Sequence, residues 1–153
     1  MDIREDYVMV NPPATDAATV ITLLASKLHA DGAVSADYGA QTIQREEEHP
    51  TGLPTSPIAI AIPHAGALGV HRSSVAVALL VQPVMFRNMG DPEEELPVEI
   101  VLLLANRDPE GQVTALRQLA TLFGQSEQLL ELRSLTSPGD IAKWLQRKIY
   151  PND

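Results

Sequence analysis

Residues 58–64, with the sequence IAIAIPH, contain the strand around which we expect the fold to be organised. Isoleucine alternates with alanine, which is the period of a β-strand with one large and one small face. Pro63 has no amide hydrogen and a fixed φ angle, so it ends the ladder and sets the direction in which His64 leaves the sheet. Because open α/β sheets carry their chemistry at strand ends, His64 is the first candidate functional residue.

Helical and strand patterns are interspersed on both sides of this strand, which favours an α/β layered domain. Strands are predicted at 7–10, 75–81 and 98–104, with a brief one at 85–87, and the apolar run 98–104 is typical of a central strand covered on both faces. Apolar spacing predicts a first helix that is capped by Thr15 or Asp16 and ends at Asp31-Gly32. It predicts four further helices: one from Ser35 to about His49, one from Gln112 to Phe123, a short one capped by Ser126, and one that starts at Ser137. We expect loops at 51–57, 64–72, 91–95 and 108–111.

Length and composition exclude several classes of protein. The chain has 153 residues, a formal net charge of −9 and no cysteine. The acidic charge argues against nucleic acid and anionic membranes as partners, and the missing thiol excludes disulfides and thiolate chemistry. The charged start of the chain is unlike a secretory signal, and the longest apolar runs are too short to span a bilayer. We therefore expect one domain over residues 1–153 in a cytoplasmic protein, without membrane insertion.

Two side chains are candidates for phosphoryl chemistry. A neutral imidazole has a ring nitrogen free to attack, and rigid backbone would hold His64 in place as a nucleophile requires. The alternative is a surface or structural histidine. Arg45 carries a planar fork suited to phosphate oxygens, and one loop separates its helix from the His64 strand. The alternative for Arg45 is a solvated side chain paired with its acidic neighbours.

Other kinds of site find less support in the sequence. The phosphate loop of nucleotide-binding proteins, the dinucleotide fingerprint and the serine nucleophile elbow are all absent. His64 and His71 together suggest a metal-assisted hydrolase, but no H-E-x-x-H motif or carboxylate cluster accompanies them. We therefore expect neither a metal nor a cofactor.

An ordered series of motifs resembles a known family. Arg45-Glu46, Thr51-Gly52 and the run that ends in Pro63-His64 occur in the order typical of enzyme IIA of the mannitol/fructose class. These proteins belong to the bacterial phosphoenolpyruvate-dependent sugar phosphotransferase system. The likeness extends over nearly the whole chain and is greatest to the galactitol-specific branch.

The resemblance implies a single three-layer α/β domain, in which helices flank a mixed β-sheet on both faces. It implies that His64 is the phosphorylated histidine and that Arg45 contacts the phosphoryl group. Many members have a second histidine where this chain has Gln112, whose amide can donate a hydrogen bond but cannot carry charge. His71 is a further candidate phosphate-binding residue, although it lies outside the general motif of the class.

The function implied by the resemblance is that of a phosphocarrier. His64 would accept a phosphoryl group from phospho-HPr and pass it to a cognate enzyme IIB, with the membrane enzyme IIC involved indirectly, for uptake of galactitol or a related sugar or polyol. The alternative is a regulatory enzyme IIA-like module, in which phosphorylation of His64 controls a protein partner rather than sugar transport.

Overall fold

A mixed β-sheet of five strands forms the centre of the computed structural model, which describes residues 1–149. The strands are β1 (Val8–Val10), β2 (Gly52–Leu53), β3 (Ala59–Ala61), β4 (Ser74–Asn88) and β5 (Asp91–Ala105). The helices are α1 (Ala17–Ala30), α2 (Tyr38–Glu48), α3 (Pro109–Phe123), α4 (Ser126–Ser134) and α5 (Pro138–Ile149). Short 3-10 turns occur at Glu5–Tyr7 and Ala67–Gly69.

The other strands pair with a long antiparallel hairpin formed by β4 and β5. β1 runs parallel to β4 and β3 runs parallel to β5, while β2 pairs with β3 in the antiparallel direction. β2 also reaches the far end of β4, where Gly52 pairs with Asn88. Three strand ends therefore lie together at one end of the sheet: the last residue of β5 (Ala105), the first residue of β4 (Ser74) and the exit of β3.

The alternation of isoleucine and alanine assigns the two faces of the sheet. Ile58, Ile60 and Ile62 pack into the core formed with α3, α4 and α5, whereas Ala59 and Ala61 face the core formed with α1 and α2. β5 alternates in the same way, and residues 100–105 are all buried. The predicted three-layer α/β domain, with helices on both faces of a mixed sheet, is therefore confirmed.

The hairpin is longer than the sequence predicted. β4 continues through Pro83 to Asn88, and the shift in register between Leu79 and Val84 accommodates the missing amide hydrogen of the proline. The acidic run 91–95, predicted as a loop, is the first part of β5, where Glu95 pairs with Arg87. Pairing with a partner strand overrides the weak strand preference of these exposed residues.

Some helix boundaries also differ from prediction. α2 begins at Tyr38 rather than after Ser35, whose hydroxyl donates to Asp37 Oδ1 at 2.5 Å instead of capping the helix. α3 begins at Pro109, because the Asp108 carboxylate accepts from the first amides of the helix and proline suits its first position. Ser126 is the first residue of α4, not its cap.

The predicted ends of α1 are confirmed. The Asp16 carboxylate accepts from the amide of Thr19 at 2.8 Å, and Gly32 follows the helix with a φ of +74°. No helix within residues 1–149 combines the length and apolarity needed to cross a membrane.

Candidate active site

His64 lies at the edge of the sheet where β3 and β5 end. The carbonyl of Pro63 accepts from the amide of Leu104 at 3.0 Å, and His64 forms a parallel bridge with Leu104. The backbone of His64 is thus fixed to the central strand beyond the regular end of β3. The residue is 9% exposed, so its ring reaches the surface only in part.

The imidazole of His64 is oriented by its own strand. Nδ1 lies 2.9 Å from the carbonyl oxygen of Ile62, and a carbonyl only accepts, so Nδ1 carries the proton of the neutral ring. Burial lowers the pKa of His64, the positive charge of Arg45 lowers it further, and the bond to Ile62 opposes both. Near neutral pH the ring is therefore uncharged, and the lone pair of Nε2 is available as a nucleophile.

A buried tyrosine, Tyr38, for which the sequence gives no signal, holds the segment around His64. The hydroxyl of Tyr38 donates to the carbonyl of Leu104 at 2.6 Å and accepts from the amide of Ala65 at 3.1 Å. The side chain is fully buried, and burial raises the pKa of its phenol. Tyr38 thereby connects the start of α2 to β5 and to the residue that follows His64.

We expect Tyr38→Phe to destabilise the domain without emptying the core. The substitution leaves the Ala65 amide and the Leu104 carbonyl without this partner, and an unsatisfied buried group costs about 1–3 kcal/mol. Urea unfolding followed by circular dichroism measures the loss. An unchanged free energy of unfolding would show that both groups find other partners.

A buried carboxylate on α2 contacts the residue that leads into β2. Glu46 Oε2 accepts from the amide of Thr51 at 2.8 Å, and Oε1 accepts from its hydroxyl at 2.7 Å. Burial raises the pKa of Glu46, while the bonds from Thr51 and the charge of Arg87 oppose this rise. Glu46 and Thr51 belong to the motif that suggested the family, but the sequence did not reveal that they contact each other.

Arg45 lies in the last turn of α2, and the structure brings its charge close enough to lower the pKa of His64. Its side chain is exposed. Within residues 1–149 its guanidinium forms no ion pair with the acidic residues of α2. Its donors are therefore not occupied by those carboxylates, and a phosphate-contacting role for Arg45 stays a prediction.

Gln112 lies in the first turn of α3, which residues 106–108 connect to the end of β5. Its amide nitrogen and amide oxygen are both buried, and neither has a hydrogen-bond partner within residues 1–149. Buried amides are normally paired, so this side chain has unused donor and acceptor capacity. No hydrogen bond joins it to His64 in the described part of the chain.

His71 is placed differently from the other candidates. Its backbone amide donates to the carbonyl of Ala33 at 2.8 Å, and its side chain is exposed. Within the described residues, no hydrogen bond joins its imidazole to His64. A phosphate-binding role for His71 stays a prediction.

Comparisons with known proteins bear on the family of the chain. Residues 2–148 match the family model described as "Phosphoenolpyruvate-dependent sugar phosphotransferase system, EIIA 2". The PTS system galactitol-specific EIIA component of Escherichia coli K12 is 34% identical over 115 residues, which cover 74% of this chain and 73% of that protein.

Solved structures share the fold. A putative PTS IIA domain from Streptococcus pyogenes superposes with a TM-score of 0.76 at 25% identity, covering 97% of each chain. The complex of enzyme IIAMTL and phosphorylated enzyme IIBMTL from Escherichia coli gives a TM-score of 0.74 at 17% identity, covering 99% of each chain. The match along nearly the whole sequence, together with the shared fold, shows that the chain belongs to the EIIA 2 family of the phosphoenolpyruvate-dependent sugar phosphotransferase system.

Proposed function

We propose that this sugar phosphotransferase component carries a phosphoryl group on Nε2 of His64. The phosphoryl group comes from phospho-HPr and passes to a cognate enzyme IIB, for uptake of galactitol or a related sugar or polyol. The observation that supports this most directly is the bond from Nδ1 to the Ile62 carbonyl, because it leaves Nε2 unprotonated in a ring whose pKa is lowered.

The transfer needs no proton to move. The lone pair of Nε2 attacks phosphorus in line, a new N–P bond forms, and the N–P bond of the donor breaks with its electron pair returning to the protonated donor ring, which becomes a neutral imidazole. The ring of His64 then carries a substituent on both nitrogens and becomes positively charged. The Ile62 carbonyl accepts from Nδ1 and stabilises that charge.

Arg45 and Gln112 would bind the oxygens of the phosphoryl group. The guanidinium of Arg45 supplies charge and two parallel donors, and the amide of Gln112, which has no partner among residues 1–149, supplies a neutral donor. Neutral Gln112 cannot replace the charge of a second histidine, so in this proposal His64 is the one imidazole that reacts. His71 is retained as a further phosphate-binding candidate.

The choice of partners and sugar follows from relatives. The similarity to a galactitol-specific component suggests galactitol or a related polyol, and the related mannitol protein forms a complex with phosphorylated enzyme IIB. The acidic net charge of −9 favours encounter with basic partner surfaces. The membrane enzyme IIC enters only through enzyme IIB.

The experiment is a reconstituted relay. We expect the chain, mixed with enzyme I, HPr and phosphoenolpyruvate labelled in its phosphoryl group, to take up acid-labile label to one group per chain, and galactitol enzyme IIB to remove it. A chain that takes no label would contradict the phosphocarrier proposal. Label that forms normally but passes to no cognate enzyme IIB would favour the regulatory alternative.

A further inference from the structure

The antiparallel ladder between β2 and β3 is broken at the pair nearest to His64. Gly52 pairs with Ala61 and Leu53 with Ile60, so the next pair towards the site is Thr51 with Ile62. The amide of Ile62 donates to the carbonyl of Thr51 at 3.3 Å, as it does in a hydrogen-bonded antiparallel pair. Such a pair normally exchanges a second bond, from the amide of Thr51 to the carbonyl of Ile62.

That second bond is replaced by two others. The amide of Thr51 donates to Glu46 Oε2 at 2.8 Å, and the carbonyl of Ile62 accepts from Nδ1 of His64 at 2.9 Å. The hydroxyl of Thr51 donates to Glu46 Oε1 at 2.7 Å and accepts from the amide of Ile62 at 3.2 Å. These two bonds keep Thr51 against Glu46. Glu46 therefore holds away from the Ile62 carbonyl the amide that a regular ladder would place on it.

The change in hydrogen bonding is confined to the pair of Thr51 and Ile62 by the residues next to them. Pro50 and Pro63 are the next residues outward, and neither has an amide hydrogen, so the ladder cannot continue past Thr51 and Ile62. Glu46, Thr51 and Ile62 are all buried, so water does not compete strongly for these bonds. If the Thr51 amide were released, it would share the Ile62 carbonyl with the His64 ring and weaken the bond that orients the ring.

We propose that Glu46 is a positioning residue that fixes the tautomer of His64 by holding the amide of Thr51 away from the Ile62 carbonyl. With Glu46 in place, Nδ1 is the protonated nitrogen and Nε2 is the free one. Without it, the Thr51 amide is free to close the ladder and to share the Ile62 carbonyl, which weakens the bond from the ring, and the tautomer with the proton on Nε2 gains population. That tautomer has no lone pair on Nε2, so the consequence for phosphoryl transfer rests on the function proposed above.

The test measures the ring nitrogens of His64 directly. Two-dimensional ¹⁵N NMR of the unphosphorylated full chain near neutral pH distinguishes a protonated from an unprotonated ring nitrogen. We expect protonated Nδ1 in the wild-type chain. In Glu46→Ala the ratio of the Nε2–H to the Nδ1–H tautomer should rise about 2- to 10-fold, which corresponds to the loss of one hydrogen bond. Glu46→Gln should give a smaller shift in the same direction, since its amide group can accept from only one of the two Thr51 donors.

Glu47→Ala is the matched control, because it removes the neighbouring but exposed carboxylate of the same helix. We expect its ring shifts to equal those of the wild-type chain, with circular dichroism confirming that each variant is folded. If Glu46→Ala does not fold, the ring shifts of Glu46→Gln test the proposal instead. Wild-type ring shifts in the folded Glu46 variants, or an equal change in Glu47→Ala, would overturn the proposal.

The relay assay then links the tautomer to transfer. The initial rate of label uptake by Glu46→Gln should fall in proportion to the fraction of Nδ1–H tautomer that is lost. The ring shifts are measured without any donor, so a chain that takes no label from HPr refutes the phosphocarrier function, whereas unchanged ring shifts refute the role of Glu46.

Discussion

His64→Ala is expected to take up no acid-labile label from phospho-HPr, while the folded state is retained. The substitution removes the nitrogen that would form the N–P bond, and no other imidazole in residues 1–149 has a ring bond to the Ile62 carbonyl. The alanine occupies a backbone position already fixed by the Pro63–Leu104 bond and by Tyr38, so the sheet edge should persist. Filter-bound label after acid and neutral washes measures the loss.

His71→Ala is the control for this result. His71 is exposed and its imidazole makes no hydrogen bond to His64, so we expect the variant to reach the same label per chain as the wild type. Label that survives in His64→Ala and disappears in His71→Ala would show that His71, and not His64, is the phosphorylated residue. A smaller rate in His71→Ala, with full final label, would support its predicted part in phosphate binding.

Arg45→Ala is expected to slow label uptake by about 10²- to 10³-fold, the loss typical when a single stabilising donor is removed from a reacting oxygen. Arg45→Lys keeps the charge but loses the planar fork, so we expect an intermediate rate. Stopped-flow or quenched-flow measurement of label uptake at saturating phospho-HPr gives both values. Arg147→Ala is a control of equal charge change, since Arg147 lies exposed on α5, on the other face of the sheet.

The pH profile of the transfer rate in Arg45→Ala separates the electrostatic effect of Arg45 on His64 from its contact with the phosphoryl group. Transfer requires the neutral ring, so the rate falls as pH drops through the pKa of His64. The charge of Arg45 lowers that pKa, so its removal should move the acid limb of the profile to higher pH. A rate and a pH profile that both equal those of the wild type would return Arg45 to the class of solvated surface arginines.

Much of the fold could be predicted because its signals are local. The two-residue period of 58–62 identified a strand and both of its faces, and Asp16 and Gly32 marked the ends of α1. The acidic segment 91–95 could not be placed in the same way. Its strand conformation depends on β4 across the hairpin, and nothing within the segment itself favours a strand.

The candidate site was predicted only in part, for a related reason. His64 stood out through Pro63 and the strand before it, and Arg45 through its place in an ordered motif. Tyr38 gave no sequence signal, because its partners Leu104 and Ala65 are separated from it by 66 and 27 positions. The part played by Glu46 was equally hidden, since it depends on which backbone amide meets which carbonyl once β2 lies beside β3.

The hairpin at the centre of the sheet also bears on the order in which the chain folds. β4 and β5 are joined by a tight turn at residues 89–90, so they can pair at little cost in loop entropy. β3 joins β5 in the parallel direction, and β1 joins β4 across about seventy residues of chain, so both are slower pairings. The backbone of His64 is fixed to β5 only when β3 lies beside it, because the Pro63 carbonyl then accepts from the amide of Leu104. On the function proposed above, a nascent or partly folded chain would present a less restrained imidazole, so the folded chain would be the better phosphoryl acceptor.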